Sequence, residues 1–240
     1  MSAPGSRVDQ RPRDEGMTLV ELMVAIGLAM LLMLVVLTFT IAAIRASDAT
    51  EARNDNVNAA QVGMAGASKV IRTAVLPEQL NDHACTGCGD SAIVAAGSTQ
   101  MSFYANLDNN GNGPSLVTLQ AVADPNEPGT TMLQQLLIPP TALSDGSYTF
   151  CAVSAPGCRF RTWVLVRGLP ASPSLFTYYD FDGNPIAGTT IASTDLKKVA
   201  SIDVALRVQL RPGQTRTPAE NLVQRVSLPN ADVSVLTDNS

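Results

Sequence analysis

Charged side chains are scarce in this chain of 240 residues, at 15% against about 25% in an average soluble domain. Its 16 basic residues are outnumbered by 21 acidic ones, so the net charge of −5 argues against general nucleic-acid binding. A single histidine beside four cysteines argues against a multi-histidine metal enzyme. The hydrophobic share of 45% is too high for a disordered chain, so we expect a packed core.

Sequence motifs of catalytic sites are also missing. The chain has no G-x-S-x-G, no H-E-x-x-H and no phosphate-binding loop. Its one histidine, His83, lies in a polar stretch and is interpreted as an exposed loop residue. We therefore expect a protein that is not an enzyme and that has no catalytic residues.

A long apolar run lies near the N-terminus. The 23 residues from Leu22 to Ile44 carry no charge, and Leu, Met and Ala favour helix strongly. About 20 apolar residues suffice to cross a bilayer as a helix. A secretory signal has a shorter apolar region and a small-residue cleavage site, which fits this run poorly. The run predicts a transmembrane helix, and a plain membrane anchor is one alternative.

Positive charges around the run predict its orientation. Arg7, Arg11 and Arg13 precede the run, whereas only Arg45 follows it closely. Because Lys and Arg mark the cytoplasmic side, we expect a single-pass protein of the cytoplasmic (inner) membrane with its N-terminus inside.

Glu21 is a charged residue at the head of the apolar run. Moving a carboxylate toward the bilayer interior costs about 3 kcal/mol, so such a group needs a partner. The run contains no Lys or Arg, so we expect the charge partner of Glu21 to belong to another molecule.

The residues around Glu21 resemble a known signal. Gly16 to Ile26 read GMTLVELMVAI, which is similar to the class III signal of type IV pilins and type II secretion pseudopilins. The resemblance implies that prepilin peptidase cuts between Gly16 and Met17 and then N-methylates Met17. It also places Glu21 at the fifth mature position, as the family requires. Met17 stands where relatives usually have Phe, and the leader is less basic than many.

The cut would create the cation that Glu21 lacks. The new α-amine of Met17 would be protonated at neutral pH and could meet Glu21 of an adjoining subunit. Subunit assembly is therefore expected to depend on Glu21. The resemblance implies three protein partners, which are prepilin peptidase, other pilin or pseudopilin subunits and an inner-membrane assembly platform. Membrane lipid would surround the helix before assembly into an extracytoplasmic or cell-surface filament.

Helix-forming sequence continues beyond the membrane run and ends near Pro77. We predict a cytoplasmic leader over residues 1–16, a membrane and fibre-core half-helix over 17–44, an amphipathic half-helix over 45–76, and an extracytoplasmic head over 77–240. Gly27, Gly63 and Gly66 are expected to be weak points of the helix. Its predicted packing face has three- or four-residue spacing and comprises Val57, Gln61, Met64, Ala67, Ile71 and Val75.

Short β-rich runs separated by turn residues fill the head. A helix followed by many strands is typical of an α+β fold, here with the long N-terminal helix packed on an antiparallel sheet. Phe160, Trp163, Phe176 and Tyr178 are predicted core residues. The candidate strands are Ala92–Ala95, Gln100–Ala105, Leu116–Val122, Met132–Ile138, Tyr148–Val153, Arg159–Arg167, Ser174–Asp180, Val199–Gln209 and Leu222–Leu228.

A second, looser resemblance concerns the C-terminal part. The sequence FTYYD at Phe176–Asp180 before Gly183, followed by Leu196–Leu210, is similar to PilW-like minor pilins and J-type minor pseudopilins. It implies a minor subunit that enters or primes a type IV pilus or a type II secretion-type filament. The alternative is a tip-located adhesin, or a DNA- or substrate-binding subunit of such a filament.

The four cysteines allow three disulfide pairings. For an exported domain in an oxidising compartment we prefer Cys151–Cys158, which closes a turn, and Cys85–Cys88, which closes a tight loop. A zinc site or a redox motif at Cys85 and Cys88 is the alternative.

One acidic loop has features of a calcium site. Asp108, Asn110 and Asn112 alternate as in the first half of a calcium loop, with Gly113 at the sixth position. Leu119 occupies the twelfth position, where a bidentate carboxylate is needed. We therefore favour a hairpin turn and expect no cofactor, with calcium as the one alternative.

Overall fold

The computed structural model describes residues 16–80, 85–108, 111, 113–213 and 217–229. The chain forms two units, residues 1–48 and residues 49–240. Helix α1 (Leu19–Ile71) contributes residues to both units.

In the first unit, α1 contains a long segment, from Leu22 to Ile44, that has no charged residue on any side. Its most apolar window of 18 residues has a mean hydropathy of 2.8, and none of that window is buried. Within the described ranges, α1 is the one helix that is long and apolar enough to cross a bilayer. A helix that is apolar all round needs lipid or protein around it, which agrees with the predicted hydrophobic N-terminal helix.

In the second unit, the rest of α1 is followed by strands and by two short 3-10 helices, Pro77–Gln79 and Leu196–Lys198. The predicted strands are all present in part, although Tyr148–Val153 is strand over two residues only, and β5 was not predicted. The strands are β1 (Ile93–Ala96), β2 (Gln100–Ala105), β3 (Ser115–Ala123), β4 (Thr130–Ile138), β5 (Thr141–Ala142), β6 (Tyr148–Thr149), β7 (Arg161–Pro170), β8 (Phe176–Tyr179), β9 (Ser201–Val208) and β10 (Glu220–Ser227).

The strands form three antiparallel sheets. The largest has the order β1-β2-β3-β4-β7, the second has the order β10-β9-β8, and β5 pairs with β6. Gln209 N–H donates to the carbonyl of Gly168 at 2.8 Å and so joins the first two sheets. A long N-terminal helix followed by antiparallel strands confirms the predicted α+β, pilin-like architecture.

The face by which α1 packs differs in part from the predicted one. Met64, Ala67 and Ile71 are buried as predicted, but Gln61 is exposed and Ala60 and Gly63 are buried instead. Small residues therefore let the helix approach the sheet closely. The buried residues of α1 are Ala52, Asn56, Ala60, Gly63, Met64, Ala67, Ser68, Val70 and Ile71.

Gly63 is a packing contact rather than a weak point. We expect Gly63→Ala to destabilise the second unit by about 1–3 kcal/mol, because a Cβ atom there would lie 2.6 Å from Cβ of Val166. Gly66→Ala is the matched control. Its Cβ atom would lie 3.4 Å from Cδ2 of Leu165, an ordinary van der Waals distance. Alanine also stabilises a helix by about 1 kcal/mol relative to glycine. Urea unfolding followed by circular dichroism measures the free energy of unfolding of both variants. A Gly63→Ala protein as stable as the Gly66→Ala protein would contradict this packing.

The helix ends at Ile71, earlier than residue 76, the end of the predicted half-helix. After Ile71 the chain turns, Ala74 bridges to Ala105, and Val75 N–H donates to the carbonyl of Tyr104 at 2.9 Å. Pairing with β2 therefore ends the helix before the proline does.

Two predicted core aromatics are at the surface. Phe160 and Trp163 are each 42% exposed, whereas Phe176 and Tyr178 are buried. Strand β7 is the edge of the largest sheet, and its first four residues are all exposed. The core prediction for Phe160 and Trp163 is wrong because, among the described residues, no strand pairs with this first part of β7 on its outer side.

Candidate functional site

The first turn of α1 places Glu21 next to Thr18. The backbone N–H of Thr18 donates to Oε2 of Glu21 at 3.3 Å, and its hydroxyl donates to the same oxygen at 3.2 Å. The backbone N–H of Glu21 in turn donates to Oγ1 of Thr18 at 3.3 Å. These reciprocal hydrogen bonds are a capping box, which satisfies backbone groups that the start of a helix leaves free.

The sequence analysis missed this local partner, although the pattern Thr-x-x-Glu before an apolar run is a signal for it. Neutral groups that donate to the carboxylate leave its negative charge in place. Among the described residues, no cationic side chain forms an ion pair with Glu21. Glu21 thus has a local hydrogen-bond partner in Thr18, but its negative charge is not compensated by a described side chain. The pairing of Glu21 with a group of another molecule stays a prediction.

Gly16 and Met17 lie just before the helix. A Cβ atom added at Gly16 would have no atom within 4 Å, so packing within the chain does not require glycine there. Met17 is 68% exposed. The peptide bond between them is therefore open to an enzyme, and any requirement for glycine comes from outside the chain. Residues 1–15 of the predicted leader, with Arg7, Arg11 and Arg13, lie outside the described residues.

The cysteines are joined as Cys85–Cys88 and Cys151–Cys158, the pairing preferred from the sequence. The Cα atoms are 5.4 Å apart in the first pair and 5.5 Å apart in the second, within the ordinary range for disulfides. Bonded sulfurs are not available as zinc ligands. Within the described ranges, no group of three or more potential metal-binding side chains occurs. His83 lies outside those ranges.

The candidate calcium loop is described only in part. Asp108 forms an ion pair with Arg161, so a guanidinium already compensates this carboxylate. Its φ of 46° is typical of a tight turn. Asn110 and Asn112 lie outside the described residues, so calcium binding stays untested.

The clearest charge cluster of the head lies on the β10-β9-β8 sheet. Arg225 donates two hydrogen bonds to Asp203, at 2.7 and 2.9 Å, and lies 3.8 Å from the ring centroid of Tyr179. The guanidinium holds the pKa of Asp203 below its usual range. A cross-strand ion pair of this kind stabilises a sheet and indicates no reaction.

Comparison with known families bears on the N-terminal site alone. A family model described as the prokaryotic N-terminal methylation motif matches residues 11–37. A search of curated proteins finds no match. The matched range contains Gly16, Met17, the capping box and the first part of the exposed apolar helix. The chain therefore carries the class III signal that is found in type IV pilins and pseudopilins.

Proposed function

We propose that the chain is a structural subunit of a type IV pilus or a type II secretion-type filament. Prepilin peptidase cuts it between Gly16 and Met17 and N-methylates Met17. The observation that carries this proposal is the methylation motif at residues 11–37, which begins before the cut and continues into an exposed apolar helix. A motif of this kind belongs to structural subunits rather than to enzymes.

Glu21 recruits the subunit to the filament. In the membrane its charge is uncompensated, and so is the protonated α-amine of Met17 in a neighbouring subunit. Docking brings the two charges together and removes the cost of leaving each one alone in lipid. The hydrogen bond from the backbone N–H of Thr18 holds the carboxylate at the start of the helix, where the neighbour's amine arrives.

The predicted segments take these roles in the proposal. Residues 1–16 are the leader on the cytoplasmic side, 17–44 span the inner membrane and later lie in the fibre core, and 45–76 carry the helix into a head of residues 77–240. Lipid surrounds the apolar helix until an assembly platform transfers it to other pilin subunits.

We further propose a minor role, in which the chain enters or primes the filament in few copies. The length of 240 residues and the C-terminal resemblance support this role. A tip-located binding subunit is the second candidate, favoured by the exposed Phe160 and Trp163 at the β7 edge. Deletion distinguishes the two candidates: loss of filaments indicates priming, whereas filaments that fail to bind indicate a tip ligand.

Analysis of the filament fraction tests the main proposal. We expect mass spectrometry of purified filaments to find this chain beginning at N-methylated Met17. Cells that lack prepilin peptidase are the control, and in them the chain should keep its 16-residue leader and stay in the membrane. A full-length chain in peptidase-positive cells would contradict processing, and a processed chain absent from filaments would contradict the structural role.

A further inference from the structure

The outer edge of β10 carries backbone groups that no described strand pairs. β10 is the outermost strand of the β10-β9-β8 sheet. Leu228 N–H donates to the carbonyl of Ala200 at 3.0 Å, so the backbone groups of Leu228 point toward the β9 side. Because these groups alternate in direction along an antiparallel strand, those of Val223, Arg225 and Ser227 point away from β9. An edge of this kind readily pairs with another extended segment.

An open cleft lies between this edge and α1. Its volume is about 550 Å³, and Met64, Leu222 and Gln224 are among the residues that line it. The hydroxyl of Ser68 donates to Oε1 of Gln224 at 3.1 Å, so this part of the helix lies beside β10. A further strand at the outer edge of β10 would cover the cleft.

The sequence after β10 has the pattern of such a strand. Residues 230–240 follow the last described residue and lie outside the described ranges. Val233 and Val235 alternate with Asp232 and Ser234, which is typical of a strand with one buried face. This segment is therefore a candidate occupant of the edge and of the cleft.

The end of β10 is suited to a hairpin. Pro229, the last described residue, lies in a turn. A four-residue loop over 228–231 places this proline at the second position of a type I turn, which proline favours. Ser227 and Asp232 would close the loop as a hydrogen-bonded pair, because the backbone groups of Ser227 point to the free side.

We propose that residues 232–238 add to the outer edge of β10 of the same chain as an antiparallel strand. Val235 then lies opposite Gln224 and fills the cleft. Leu236 lies opposite Val223 on the other face, where it covers a side chain that is 63% exposed among the described residues. The same chain is favoured over a second copy as the source, because a four-residue loop brings the segment to the edge at a small entropic cost.

Register and charge both favour this arrangement. A shift of one residue would turn Asp232 and Ser234 into the cleft in place of the two valines. The segment has two acidic side chains, Asp232 and Asp238, and no basic one. Lys69 and Arg72 border the cleft and form no ion pair with a described side chain. Charge attraction therefore adds to the apolar contact.

Cysteine pairs in the purified full-length chain test this register. Val223→Cys with Leu236→Cys puts two thiols on one face of paired residues whose Cα atoms are about 5.5 Å apart, within disulfide reach. Val223→Cys with Val235→Cys is the matched control, because its second thiol would lie on the opposite face. After oxidation in air, we expect about tenfold more bond within one chain for the first pair.

Two measurements identify the bond. Trypsin cuts after Arg225, so the bond joins two peptides that mass spectrometry detects together. A non-reducing gel shows whether the bond lies within one chain or between two copies.

Deletion of residues 230–240 provides an independent readout. Hydrogen exchange of the outward amides of Val223 and Arg225 should become about tenfold faster, because they lose the carbonyls that they bond. The amides of β3 (Ser115–Ala123) are the internal control and should exchange at an unchanged rate, because β3 lies between β2 and β4.

Four results would overturn the inference. The control pair forms as much bond as the first pair, the bond joins two copies, or the deletion leaves the exchange of β10 unchanged. The fourth is the absence of a bond in a protein whose native pairs, Cys85–Cys88 and Cys151–Cys158, are intact. Because Val223 is exposed, we expect its replacement by cysteine to leave the fold unchanged.

Discussion

Replacing Glu21 by Gln is expected to leave the chain in the membrane and to remove it from filaments. Glutamine can keep the capping box, because its side-chain oxygen still accepts from Thr18. What it loses is the negative charge, so the α-amine of the neighbouring Met17 would stay unpaired in the membrane. Leaving one partner of a buried ion pair alone costs about 3–5 kcal/mol, which corresponds to at least a hundredfold loss of incorporation. Immunoblots of the filament and membrane fractions measure this loss of incorporation.

Thr18→Ala is the matched control for the Glu21→Gln variant. It removes the hydroxyl of the capping box, at a cost of about 1 kcal/mol, but keeps the carboxylate. We therefore expect filament incorporation near that of the unchanged chain. If the Glu21→Gln chain enters filaments as well as the Thr18→Ala chain does, the charge of Glu21 has no role in assembly.

Replacing Gly16 by Ala is expected to block the cut while leaving the fold intact. The surroundings of Gly16 are open, so the added methyl group contacts nothing within the chain. We expect the same group to displace the scissile bond in the peptidase site, and a displacement of about 1 Å costs on the order of a hundredfold in rate. Mass spectrometry of the membrane fraction should show the 16-residue leader retained and Met17 unmethylated.

Gly27→Ala controls for the loss of a glycine as such. Gly27 lies within α1 and is equally open, so its replacement should change neither processing nor fold. Normal processing of the Gly16→Ala chain would place the cut elsewhere and would contradict the assignment of the site.

Most of the head's secondary structure could be predicted because it depends on local pattern. The run Ser201–Leu210 alternates polar and apolar residues. Along β9 (Ser201–Val208), every second residue is buried, as this alternation predicts. Strand β5 was missed because its two residues, Thr141 and Ala142, are too few to show a period.

Burial at sheet edges could not be predicted from pattern. Trp163 has the size and apolarity of a core residue, yet its exposure depends on which strand lies at the edge of the sheet. The end of α1 depends likewise on a long-range contact, the bridge from Ala74 to Ala105. Strand order is a property of the whole fold, and short-range sequence pattern does not contain it.

The N-terminal site was easier to predict from the sequence, because its residues lie close together in the chain. Gly16, Met17 and Glu21 fall within eleven residues that resemble one signal, and the family match covers them. The role of Thr18 was missed although its spacing from Glu21 was visible.

The last described strand closes over the helix that begins the second unit. Arg53 meets Glu220, and the hydroxyl of Ser68 donates to Oε1 of Gln224 at 3.1 Å. Contacts between residues so far apart in sequence form late in folding, because the intervening chain must be ordered first. A chain truncated before β10 would therefore keep Arg53 without Glu220 and Ser68 without Gln224, and this side of its helix would stay bare even if the earlier strands had folded.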